Sequence, residues 1–121
     1  MNQVVIADAS PLIVLQNIGR LSLLQNLFDK ILITPEIETE FGLDLPDWIK
    51  VSEVQDKTKL VLLNLNLDKG EASAIALCLE KAGSLLIIDE KKGRRIAQDL
   101  GLKIVGTLGI ILKAKEKGLI D

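Results

Sequence analysis

Two short runs constrain this chain more than anything else in it: V-V-I-A at Val4 to Ala7 and L-L-I-I at Leu85 to Ile88, each followed by an aspartate, Asp8 and Asp89. Neither run alternates apolar with polar residues. Each therefore reads as a strand buried on both faces, the pattern of an inner strand in a parallel sheet. After the first run, Ser10-Pro11 reads as a helix opening, because serine can accept a free N–H and proline's missing donor costs nothing in a first turn. The repeated unit is strand, acid, helix. Ligands of open parallel sheets bind beyond the strands' carboxyl ends, which makes Asp8 and Asp89 candidates for a site. The plain alternative is loop capping, a common use of aspartate.

The other elements follow from the same kinds of signal. Leu12 to Leu27 reads as helix broken near Gly19, and Ile31 to Ile33 as a strand. Thr34-Pro35 opens a second helix through about Phe41, and Gly42 to Trp48 is loop, with Trp48 closing the edge of the core. Ile49 to Val54 is a weaker strand, suited to a sheet edge by its lysine and glutamate. Lys57 to Leu65 is helical, and Asp68 caps a helix running to about Ala82. After the second apolar run come a helix over Lys91 to Leu100, a strand over Lys103 to Val105 and a helix over Thr107 to Lys117. Strands alternating with helices predict an α/β fold with a mainly parallel sheet, in one domain spanning residues 1–121.

Composition narrows the chemistry. The 121 residues include no histidine, which removes the commonest general base, the Ser-His and Cys-His pairs and imidazole zinc sites. The single Cys78, among Ala76, Leu77 and Leu79, reads as a core thiol. Net charge is −2 and the pI about 5.2, so any nucleic-acid contact must be local. Apolar residues make up 48%, which predicts a homodimer, yet no apolar run approaches the roughly 20 residues of a membrane span. The expectation is a soluble, cytoplasmic protein without a signal peptide.

Of the 17 acids, most need no explanation beyond solubility, and four fall on faces that should be buried. Asp8 and Asp89 end strands. Glu71 shares a helical stripe with Ile75, Cys78 and Ala82, although Asp68-x-x-Glu71 is also an acidic capping box. Glu40 lies at or beside the inner face of its helix, three residues after Ile37. Gathered within about 5 Å at an effective dielectric near 20, each ionised pair would repel by about 3 kcal/mol. With only oxygen donors to offer, the matching counter-charge is a hard cation, Mg²⁺ or Mn²⁺, in one or two copies, which suits phosphoryl chemistry. Lys91, Lys92, Arg94 and Arg95 open the next helix, where cations oppose the dipole. They read as phosphate contacts, the alternative being a solvated face.

Together D-A-S-P-L-I at Asp8, I-T-P-E-I-E-T-E ending at Glu40, L-D-K-G-E-A-S-A-I-A-L at Glu71, I-I-D-E-K-K-G-R at Asp89 and V-G-T-L-G-I-I at Thr107 resemble the PIN domain, in a subgroup similar to VapC toxins of toxin–antitoxin pairs. The resemblance implies a three-layer α/β/α sandwich and an endoribonuclease dependent on Mg²⁺ or Mn²⁺. Its acidic quartet maps onto Asp8, Glu40, Glu71 and Asp89, with Ser10 orienting a water or a phosphate oxygen. An RNA substrate and an antitoxin partner are implied with it. Glu71 stands where many such toxins carry aspartate. Two alternatives accompany this reading. One is a non-catalytic PIN-like module binding RNA or protein, since similar proteins continue past Asp121 with further helices. The other is a receiver-like domain phosphorylated on aspartate.

Overall fold

A computed structural model describes residues 3–121 of the chain. Its elements in order are β1 (Val5–Ala7), α1 (Ala9–Asn17), α2 (Ser22–Phe28), β2 (Ile31–Ile33), α3 (Pro35–Phe41), β3 (Ile49–Val51), α4 (Lys57–Asn64), α5 (Lys69–Glu80), β4 (Leu85–Ile87), α6 (Lys91–Asp99), β5 (Lys103–Val105) and α7 (Thr107–Glu116). The strands form one sheet in the order β3-β2-β1-β4-β5, every neighbouring pair parallel. With its helices it makes a three-layer α/β/α sandwich.

Burial explains why these segments take these places. Val5, Ile6 and Ala7 are buried in succession, as are Leu86, Ile87 and Ile88, so both faces of the two inner strands are covered. Helix α5 is buried continuously from Gly70 to Cys78 and lies against β1 and β4. Its small residues Ala72, Ser73, Ala74 and Ala76 let neighbours approach closely, and a helix apolar all round belongs inside. The Cys78 thiol is buried there, which pushes its pKa up to about 12, as a core role requires. Trp48 packs half-buried against the core.

The chain steps outward from β1 through β2 to β3, then returns to lay β4 on β1's other side. The direction of winding therefore reverses between β1 and β4, and outside the strands' carboxyl ends at such a point lies the ligand crevice of open parallel sheets. Register sets what faces it. Ala7 pairs with Ile87 and the Asp8 N–H donates to the Ile87 carbonyl at 2.9 Å, so Asp8 is level with Ile88 and Asp89 lies one residue beyond. This strand order departs from the 2-1-3-4-5 order of receiver domains, which removes the fold that the phosphoacceptor alternative requires.

Several boundaries differ from the sequence expectations. Helix α1 begins at Ala9, with Asp8 and not Ser10 in the N-cap position, and Ser10 is exposed in its first turn. The strand expected to reach Val54 stops at Val51, and it does lie at the sheet edge. Ala82, expected on the stripe of Glu71, lies beyond α5 and is exposed, while Ile75 and Cys78 are buried as expected.

Candidate active site

Asp8 enters the crevice directly from β1. It is only 4% exposed, and although it occupies the N-cap position of α1, its side chain makes no capping bond to that helix. Burial pushes its pKa up to about 7, with Asp68, Glu40 and Asp89 adding repulsion and the Ala9 backbone N–H working the other way. Glu71, in the first turn of α5, is 7% exposed. Its pKa also rises to about 7, from burial first, then from Asp68, Asp8 and Glu90. Half of the capping box is in place: Asp68 Oδ1 accepts from the Glu71 N–H at 2.8 Å.

Glu40, expected at or beside the inner face of α3, lies beside it. It is exposed near the end of α3, because Ile37 and Phe41 hold the buried positions of that short helix. Its carboxyl nonetheless leans back over α5, and partial burial with the Asp68 charge raises its pKa. The meeting point is Gly70. A β-carbon on Gly70 would lie 2.6 Å from Glu40 Oε1, 3.5 Å from Asp8 Oδ1 and 3.7 Å from Asp68 Oδ1. Three carboxylates from three elements thus converge on a space that glycine leaves open.

Asp89 is half-buried, and its two oxygens accept from the backbone N–H and the Oγ1 hydroxyl of Thr107. The loop-capping alternative is thus realised at Asp89, by a bond to the start of α7, and not at Asp8. Gly106 makes room for it: a β-carbon there would fall 2.8 Å from Asp89 Oδ1 and 2.9 Å from Arg94 Nη1.

The donor set fits a hard divalent cation. Every donor is a carboxylate oxygen, and the ion pairs among the described residues, Lys57–Glu53 and Lys59–Asp56, leave the charge of this cluster unbalanced. The acids do not form a closed shell: among the described residues no three are placed to hold one ion as they stand.

A family model for the PIN domain matches residues 4–121. The chain belongs to the PIN-domain family. PIN domains are generally nucleases, hydrolases that bind nucleic acid and usually use divalent metals. A comparison with curated proteins finds no match.

Around the acids of this PIN domain the basic residues divide into two kinds. Lys91, Lys92 and Arg95 are exposed and, with Glu90, Ile96 and Asp99, line a hollow of about 540 Å³. Arg94 departs from the phosphate-gripping expectation: it is half-buried and its Nη1 donates to the Ile88 carbonyl at 2.8 Å, which ties it to the end of β4. A cavity of about 600 Å³ lies around Gln3, Phe28, Asp29 and Lys113 and touches none of these acids. No helix among the described residues is long and apolar enough to cross a membrane.

Sequence reasoning missed Asp68 as a member of the cluster, reading it only as a helix cap. The available signal was the D-x-G-E spacing, which puts two acids on one helical turn with a glycine between them.

Proposed function

We propose that this PIN domain is an endoribonuclease that hydrolyses RNA phosphodiester bonds with Mg²⁺ or Mn²⁺. The observation carrying this reading is the convergence of Asp8, Glu40 and Asp68 on the open space at Gly70, with Asp8 almost wholly buried and, among the described residues, no cation paired with it. In this reading Asp8, Glu71 and Asp89 hold the metal, Glu40 positions it or the attacking water, and Asp68 adds charge that favours a cation. When bound, the ion supplies an activated water and stabilises the developing charge on the leaving oxygen. Lys91, Lys92 and Arg95, exposed beside the site, contact the RNA backbone, and Ser10 orients a water or phosphate oxygen. The same reading makes the chain the toxin of a toxin–antitoxin pair, a homodimer whose acids a protein antitoxin masks.

The test is cleavage of single-stranded RNA in Mg²⁺ or Mn²⁺ by wild type and by Asp8→Asn. Loss of about 10²-fold or more in the variant is expected for a group that holds the metal. Equal rates sink the reading. The lack of three acids placed to hold one ion, among the described residues, favours a second reading, a non-catalytic RNA- or protein-binding module. That reading gains if Mn²⁺ leaves the melting temperature of the wild type unchanged.

A further inference from the structure

Two hydroxyls buried away from the acids join the elements that carry them. Thr34 follows β2 and caps α3, its Oγ1 accepting from the Ile37 N–H at 3.2 Å. Ser73 lies inside α5, and its Oγ donates to the Gly70 carbonyl at 2.8 Å. The two oxygens are 2.6 Å apart across 39 positions of sequence, and both residues are wholly buried. Ser73 has one proton and gives it to Gly70, so Thr34 must donate to Ser73. The result is a one-way chain from the Ile37 N–H through Thr34 and Ser73 to the Gly70 carbonyl. It ends on the residue over which Glu40 and Asp8 meet.

We propose that Thr34 and Ser73 are positioning residues that set the spacing of Glu40 from Asp8 and Asp68 by tying α3 to the first turn of α5. This rests on the nuclease reading above. Apolar contact between two helices is non-directional and fixes their separation more firmly than their sliding. A hydrogen bond with defined donor and acceptor directions fixes both. Helix α3 is a short element, capped by Thr34 at one end and carrying Glu40 near the other, so a small slide at Thr34 moves the Glu40 carboxylate across Gly70 by a similar amount.

The experiment compares Ser73→Ala, Thr34→Val and Thr34→Ser with wild type. It reads Mn²⁺ affinity by calorimetry, kcat and KM for RNA, and melting temperature, with assays well below each melting point. Ser73→Ala and Thr34→Val should each weaken Mn²⁺ binding by about 10- to 100-fold, the usual effect of losing a group that orients metal ligands. They should lower kcat with KM nearly unchanged, and Thr34→Ser, which keeps the hydroxyl, should restore both. Lower melting temperatures with unchanged Mn²⁺ affinity and kcat would overturn the proposal and leave the pair a purely structural bond. Should Thr34→Val fail to fold, Ser73→Ala decides, because it leaves the cap of α3 intact. A wild type that neither binds Mn²⁺ nor cuts RNA would fell the nuclease reading itself, and this proposal with it; an active wild type with indifferent variants fells this proposal alone.

Discussion

Gly70 separates the site from the fold at a single atom. In the first turn of α5 an alanine is the better helix former by up to about 1 kcal/mol, so nothing in the helix requires glycine. A β-carbon there would meet Glu40 Oε1 at 2.6 Å, and because that oxygen ends a flexible side chain, Glu40 would swing away at little cost. Gly70→Ala should therefore melt at or above the wild-type temperature while losing at least tenfold in Mn²⁺ affinity. Calorimetry beside a melting curve checks this, and a large drop in melting temperature with intact metal binding would contradict it. The burial of Asp8 and Glu71 and the place of Asp89 just past β4 were legible in the sequence because strand ends and helical stripes are local patterns. The part of Asp68 was not, because it depends on the N-terminus of α5 meeting the C-terminal end of α3, a contact that neither segment's own pattern encodes.

At the scale of elements, the two strand-end acids do different work. Helix α7 has Gly106 at its N-cap, which offers no side chain, and Asp89 supplies the missing acceptor from β4's end through both of its oxygens. The Asp8 side chain makes no capping bond to α1, touched there only by the adjacent Ala9 N–H, and it is buried. Asp89→Ala should cost about 0.5–2 kcal/mol, the value of a helix cap, and lower the melting temperature by several degrees. Asp8→Asn, measured the same way without metal at about pH 8, should melt no lower than wild type. Equal losses in the two variants would mean that Asp8 too serves the fold. The element boundaries teach a similar lesson at Ser10-Pro11. The pair is compatible with a helix starting at Ser10 or earlier, since Pro11 remains within the first turn, where N–H groups lack helical partners anyway. The last ladder bond, from the Asp8 N–H to Ile87, makes the chain turn at Asp8, and that bond belongs to the sheet.

For the whole molecule, the buried acids link stability to pH and, in the proposed nuclease reading, to metal. Burial, ahead of neighbouring charges, raises Asp8 from 3.8 and Glu71 from 4.5 to about 7 each. Between those limits the folded chain keeps protons that the unfolded chain has released. Their contribution therefore favours folding most below the unfolded values and falls as pH rises through the window up to about 7, levelling above it. Metal-free protein should melt lower at about pH 8 than at about pH 5, and Asp8→Asn should flatten that slope. In the proposed nuclease reading a divalent cation acts in the opposite sense. It stabilises the folded chain by mass action, and it needs the carboxylates ionised, so the rise in melting temperature with Mn²⁺ should be large at about pH 8 and small at about pH 5. A melting series across that range, with and without Mn²⁺, checks both slopes together. Metal-free stability that climbs toward pH 8 would mean that burial of these acids is already balanced within the protein. A Mn²⁺ shift independent of pH would place the ion elsewhere than on Asp8 and Glu71. The two slopes crossing is what a site of unbalanced carboxylates, built into the crevice between β1 and β4, requires.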